Sequence, residues 1–232
     1  MNWLNLRIGV SAAYLGIFLF GMASFAEGAE GVDAQALYKE HCLACHGENR
    51  LGGVGPALLP ENLERLRKPE AIKTIRESRP ATQMPAFGDK LKPEEIQALA
   101  DLIYTKVDPA PVWGETEIKA SHIVDAAALN LPNKPSAALK GADPMNLFIV
   151  VETGDHHVSV LDGDKLERIH RFPSRYALHG GPKYSPDGRF VYFASRDGWV
   201  TKYDLWNLTV VAVTRAALNT RHAAVSGAAK QA

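Results

Sequence analysis

Two cysteines and a histidine in the run Cys42-Leu43-Ala44-Cys45-His46 form the pattern C-x-x-C-H, the spacing of covalent c-type heme attachment. Each thiol adds to a heme vinyl group, and the imidazole beside the second cysteine becomes the proximal iron ligand. Two other chemistries use the same residue types. A C-x-x-C pair can act as a dithiol through thiolate exchange, or it can supply half of a zinc site. The sequence has 2 cysteines, so no second pair completes a zinc site, although its 8 histidines could lend ligands. Heme attachment places a histidine where His46 stands, and zinc geometry does not require it. We therefore read Cys42 and Cys45 as heme-attachment residues and His46 as the proximal ligand.

A second iron ligand has to come from elsewhere. Gln83-Met84-Pro85-Ala86-Phe87 puts a thioether in a proline-flanked loop, a poor place for helical core packing, and Met84 is the sixth-ligand candidate. A thioether opposite imidazole favours ferrous iron and raises the reduction potential relative to two imidazoles, which suits electron relay.

The elements around these residues follow from pattern. Ala34 to His41 reads as a short helix entering the motif, with Leu37 and Tyr38 available near a porphyrin edge. Leu51-Gly52-Gly53-Val54-Gly55-Pro56-Ala57-Leu58 reads as a loop wrapped close to a flat cofactor, where bulky side chains would collide. A helix is predicted after Pro69 through Glu77, with Ile72 and Ile75 on one face. Another opens at Lys92-Pro93-Glu94-Glu95, with proline in the tolerated first turn and acids at the positive helix end. Ile96, Leu99, Ile103 and Tyr104 give it an apolar side.

Residues 1–26 read as a signal peptide. Arg7 precedes an apolar run from Ile8 to Met22, and Ser24-Phe25-Ala26 supplies small residues for cleavage after Ala26. The run is shorter than the roughly 20 residues that span a bilayer; an uncleaved anchor is the alternative. The expected location is the periplasm. Lys plus Arg and Asp plus Glu each number 26, so no global field favours nucleic acid or anionic lipid, and the expected partner is a periplasmic redox protein.

Asp108-Pro109-Ala110-Pro111 opens a stretch, 108–141, read as a linker in which Trp113 anchors against a domain surface and His122 is a hydrogen-bonded or exposed histidine rather than a ligand. Beyond it the periodicity becomes extended. Strands are predicted at Leu147–Val151, Val158–Leu161, Leu166–Phe172, Arg189–Ala194, Trp199–Tyr203 and Thr209–Thr214, with Asp-Gly turns between them. Short hairpins at this spacing predict propeller blades.

The segment from about Asp33 to Lys106 resembles a small class I cytochrome c domain in its heme motif, Gly55-Pro56 loop, Met84-Pro85 pair and closing helix. That likeness implies heme c held by Cys42 and Cys45, with His46 and Met84 on the iron. Glu152-Thr153-Gly154-Asp155-His156-His157, Tyr176-Ala177-Leu178-His179-Gly180-Gly181, Tyr184-Ser185-Pro186-Asp187-Gly188-Arg189 and Arg196-Asp197-Gly198-Trp199-Val200 resemble the start of a heme d1-binding eight-bladed propeller. Both parts together resemble the cytochrome cd1 nitrite reductase family, and within it the branch that oxidises dihydro-heme d1 to heme d1.

The resemblance implies that His179 ligates the d1 iron; His156 and His157 are candidates for the distal side or a proton path, with solvation in a turn as the competing reading. Arg171, Arg175 and Arg196 are candidates for the d1 carboxylates, since guanidinium forks match carboxylates in two-point contacts; ordinary surface charge is the competing reading. The expected fold is an all-α class I cytochrome c domain (27–107) followed by an incomplete all-β propeller (142–232). About two blades would be present, so the chain reads as truncated, with the missing propeller portion or a homologous subunit as a further partner. The expected function is that of a periplasmic electron-transferring c-type cytochrome related to the dehydrogenase of heme d1 biosynthesis. The alternatives are a fragment of a nitric oxide-forming nitrite reductase and a simple electron-transfer cytochrome with a non-functional remnant. Whether the chain itself is an enzyme stays open, because most of the expected propeller is absent.

Overall fold

The computed structural model describes residues 31–178, 181–220 and 222–226. The signal-peptide reading and His179 lie outside the described residues. Among those described, no helix is long and apolar enough to cross a membrane.

The N-terminal part is helical. α1 (Ala34–His41) starts where Asp33 accepts backbone N–H bonds from Gln35 and Ala36, both at 3.0 Å, the arrangement that satisfies two otherwise orphaned donors. α2 (Leu43–His46) follows at once. α3 (Lys68–Glu77) carries Pro69 in its first turn. α4 (Pro93–Tyr104) is closed at its start by Glu95, whose carboxylate accepts the Lys92 N–H at 2.7 Å. Tyr38, Ile75, Phe87, Leu91, Ile96, Leu99 and Ala100 form one buried cluster between α1, α3 and α4. At the far end of α4, buried Arg50 donates to the carbonyls of Leu102 and, at 2.8 Å, Thr105. A cation at a helix C-terminus meets the negative end of the dipole and satisfies carbonyls that have no helical partner.

The stretch read as a linker contains α5 (Glu115–Ser121) and a two-residue strand, β1 (Ile123–Val124). Seven more strands follow: β2 (Leu147–Glu152), β3 (His157–Asp162), β4 (Arg168–Pro173), β5 (Lys183–Tyr184), β6 (Phe190–Ala194), β7 (Trp199–Asp204) and β8 (Thr209–Arg215). They make two antiparallel sheets, ordered β2-β3-β4 and β1-β8-β7-β6-β5. Val158, Val160 and Phe172 from the first sheet bury against Val191, Phe193, Tyr203 and Leu205 from the second. The Phe172 and Tyr203 rings stack with centroids 4.1 Å apart.

This corrects the fold expected from sequence. The helical region and most strands occur where their patterns place them, but the β part is not a propeller: neither sheet closes into a barrel or curls. The strand spacing fixed hairpins, and any antiparallel meander shows the same spacing. Closure is a long-range property that spacing does not encode. β1, from outside the expected β region, pairs with β8 through Ile123 opposite Val213 and Val124 opposite Ala212, which makes a five-stranded sheet with two-residue strands at both edges. Short edges of this kind limit further strand addition.

Candidate functional site

The helical turn between α1 and α2 assembles the C-x-x-C-H run. Cys45 and His46 both donate their N–H to the Cys42 carbonyl, at 3.1 and 2.8 Å. The cysteines carry free thiols. Cys42 packs against the helical core, and burial, with the neighbouring Cys45 second, pushes its thiol up to about 11. A dithiol exchange centre needs a lowered thiol pKa to expose a thiolate, so the Cys42 environment argues against that chemistry.

His46 is 7% exposed. Its Nδ1 lies 2.8 Å from the Pro56 carbonyl, an acceptor, so Nδ1 carries the proton and Nε2 keeps its lone pair for a ligand. Burial holds the imidazole below its ordinary pKa, which keeps it in the neutral form that binds iron.

The glycine loop lies directly on the motif. Gly55 donates to the Cys45 carbonyl at 2.7 Å, and a Cβ at Gly55 would stand 2.8 Å from His46 Cε1. A Cβ at Gly53 would stand 2.9 Å from the Cys45 carbonyl oxygen. Gly47, at φ +73°, could not take one either, since it would meet the Gly52 oxygen at 2.3 Å. Tyr38 donates to the Gly47 carbonyl at 2.8 Å from inside the core. The residues present fit a c-type heme: two thiols at the required spacing, an imidazole fixed in one tautomer, and a cradle that any side chain would fill.

Met84 sits in the loop between α3 and α4. Thr82 holds that loop, donating to the Arg79 carbonyl at 2.7 Å and accepting from the Met84 N–H at 3.2 Å. The thioether packs against the same apolar cluster as Cys42, Leu37 and Leu43, so the sixth-ligand candidate and the attachment cysteine face one core.

The residues expected to meet heme d1 are placed as follows. Arg171 makes an ion pair with Glu152, at 2.9 and 2.7 Å, and with Asp155. These bonds hold the Glu152 carboxyl down to about 2. His157 turns its Nδ1 to the Asp155 carbonyl at 2.9 Å. His156, with φ +59°, meets Tyr176 edge-on at 5.6 Å, and burial lowers its pKa. Arg171, His156 and His157 thus gather around the β2–β3 turn. Arg175 lies apart, stacked over the Trp199 ring at 4.1 Å. Arg196 donates its backbone N–H to Ala177 at 3.0 Å, and Leu178 bridges to Ser195, so the chain just ahead of His179 is fastened to the β6–β7 turn.

Sequence reasoning missed the residues that join this turn to the glycine loop. Asp197, 1% exposed, accepts the Ala57 N–H at 3.1 Å. Arg215 donates from Nε to the Asp197 carbonyl at 2.8 Å and from Nη2 to the Leu51 carbonyl. Burial pushes the Asp197 carboxyl up to about 6, although Ala57, Arg215 and Arg196 each pull it down. Asp197-Gly198 reads as a turn in sequence, and nothing local marks the aspartate as buried.

Residues 142–232 match the cytochrome D1 heme domain, and residues 29–103 match the cytochrome c oxidase cbb3-type subunit III. The chain is 54% identical to a dihydro-heme d1 dehydrogenase of Pseudomonas aeruginosa over 91% of its own length and 42% of that relative. It is 27% identical to a nitrite reductase of Stutzerimonas stutzeri over 82% of this chain and 37% of that one. A cytochrome c55X of the same organism is 30% identical over 41% of this chain and 84% of its own length. Among solved structures, a dihydro-heme d1 dehydrogenase NirN in complex with DHE superposes with TM-score 0.75 at 56% identity, covering 84% of this chain and 41% of that one. The chain therefore spans about two fifths of the dehydrogenases it matches.

Proposed function

The chain belongs to the cytochrome cd1 family and is related to its dihydro-heme d1 dehydrogenases, and from that premise we propose that it is the electron-transferring portion of such an enzyme, a periplasmic c-type cytochrome. Cys42 and Cys45 would hold heme c covalently, and His46 and Met84 would be the side chains that ligate its iron. The observation that carries this reading is the buried His46 ring, fixed by Pro56 at 2.8 Å under a glycine loop with no room for a side chain.

Heme c bound there supplies one-electron exchange. The chain's own residues do the rest. Pro56 fixes the imidazole tautomer, Tyr38 and Phe87 close the apolar side, and the Thr82-braced loop presents the thioether. In the β part, Arg171, Arg175 and Arg196 are the candidates for the carboxylates of a d1-type tetrapyrrole, and His179 for its iron. Converting dihydro-heme d1 to heme d1 makes one carbon–carbon double bond and releases two electrons and two protons. Heme c in the cytochrome part would supply the one-electron route for those electrons to a periplasmic redox partner, and the remaining length of the dehydrogenase, or a homologous subunit, would complete the tetrapyrrole site. The apolar leader and the heme motif both support the periplasm.

The test is anaerobic mixing of two equivalents of the ferric holoprotein, together with the portion that completes the tetrapyrrole site, with one of dihydro-heme d1. The reading predicts appearance of the ferrous c-type spectrum together with extractable heme d1. A c-type heme that stays ferric while dihydro-heme d1 is bound would overturn it.

A further inference from the structure

His46 and Asp197 sit on opposite sides of a single amide. The peptide unit between Pro56 and Ala57 accepts from His46 Nδ1 at its carbonyl, 2.8 Å away, and donates its N–H to Asp197 Oδ1 at 3.1 Å. A carboxylate on the N–H side of an amide drives electron density toward the carbonyl oxygen and strengthens the bond that oxygen accepts, since hydrogen bonds in series polarise one another. Ala57 and Asp197 are 1% exposed and His46 7%, so the two ends of the chain of bonds are only weakly screened, while Pro56 between them is exposed and its bond to His46 part-buried.

We propose that Asp197, carried by the β6–β7 turn, is a positioning residue for His46, raising the basicity of its imidazole through the Pro56–Ala57 amide and so lowering the reduction potential of the heme that His46 ligates. The inference rests on His46 being the proximal ligand. It makes the heme responsive to the β part of the chain without any contact between Asp197 and the heme ligand itself. A more basic imidazole donates more strongly to iron and favours the ferric state, which is the sense in which bonds to the far nitrogen tune a histidine-bound metal.

The relay is also proton-sensitive. Asp197 Oδ2 is buried without a hydrogen-bond partner, and a Cβ at Gly52 would lie only 3.0 Å from it. The charged groups facing the carboxyl are Arg215, which bonds the Asp197 carbonyl, and Arg196 on the same turn. Both favour the carboxylate, and burial opposes them, which brings the group up to about 6. One-electron reduction of the heme, with the electron supplied by dihydro-heme d1, is therefore accompanied by partial uptake of a solvent proton on Asp197, which is released again when the redox partner takes the electron.

Redox titration of the full holoprotein at a series of pH values between about 5 and 8, for wild type and Asp197→Asn, tests this. The wild-type potential should fall as pH rises through about 6. Asp197→Asn, with unchanged covalent heme, should have a higher potential and no slope in that range. A flat wild-type curve overturns the proposal, and so does a slope retained in Asp197→Asn, which would assign the proton to a heme propionate. The hyperfine-shifted His46 ring protons of ferric wild type provide a readout independent of the variant: they should titrate with the same midpoint, and pH-invariant shifts overturn the relay. Absence of covalent heme would instead be a failure of the underlying heme-site reading and is scored separately by the pyridine hemochrome.

Discussion

Trp113 and Arg215 hold each other at both ends. The indole Nε1 donates to the Arg215 backbone carbonyl at 2.9 Å, and the Arg215 guanidinium lies 4.7 Å over the same indole ring. That guanidinium also reaches the Leu51 carbonyl in the glycine loop. The indole that anchors the chain after the cytochrome part thus orients the arginine that fastens the loop. Trp113→Phe keeps the ring face and loses the hydrogen bond, and should cost about 1 kcal/mol. Trp113→Ala loses both and should cost about 1–3 kcal/mol. Urea denaturation of the holoprotein measures each; equal stability of wild type and Trp113→Ala would contradict the anchoring role.

Met84→Ala removes the proposed distal ligand and leaves both thiols. Covalent heme should be retained, and the ferric protein should pass from low to high spin. The visible spectrum reads this directly, and an unchanged low-spin spectrum would show that another side chain ligates the iron.

Gly55→Ala places a methyl 2.8 Å from His46 Cε1. The ring cannot swing away without breaking its bond to Pro56, so heme incorporation or the low-spin spectrum should be lost. Gly181→Ala, where a Cβ meets nothing within 4 Å, serves as the control and should behave as wild type.

The Asp197 carboxyl goes from 3.8 in the unfolded chain to about 6 in the fold. Its raised value means that the folded protein prefers the protonated form. The corresponding stability is fully present below 3.8 and lost as pH rises through about 6. Asp197→Asn should therefore be more stable than wild type by about 1–3 kcal/mol at neutral pH and indistinguishable from it at about pH 4. Thermal denaturation at the two pH values checks the sign; a variant less stable than wild type at neutral pH contradicts it.

Asp204 is fully buried and takes two bonds from Arg189, at 2.9 and 2.7 Å, as well as the N–H groups of Trp206 and Asn207. Removing one partner of a buried pair leaves a bare charge, which costs about 3–5 kcal/mol. Asp204→Ala should lower the urea midpoint of the β part by a corresponding amount, and a change below about 1 kcal/mol would mean that the pair behaves like a surface one.

The local elements and the heme motif were legible because short-range rules specify them. The Asp33 cap, Pro93 in a first turn, and the C-x-x-C-H spacing are all contained within a few residues. What the sequence hid is long-range. The pairing of β1 with β8 and the packing of two open sheets against each other depend on contacts that no periodicity announces, and hairpin spacing alone does not distinguish an open meander from propeller blades. Asp197 illustrates the same limit at the site. An aspartate before glycine has the composition of an exposed turn, and only the fold reveals that it is buried against the Ala57 amide. Arg171, a candidate for cofactor carboxylates, also has its guanidinium on Glu152 of β2, across β3, and on Asp155 of the β2–β3 turn, carboxylates its own sequence position does not advertise.

The most direct test of the account is acid–acetone extraction followed by a pyridine hemochrome on the full chain produced in cells that attach c-type heme, beside Cys42→Ser/Cys45→Ser. Wild type should keep a c-type chromophore on the polypeptide after extraction, and the double variant should keep none. Complete extraction of the wild-type heme, or heme retained without the two thiols, would contradict it.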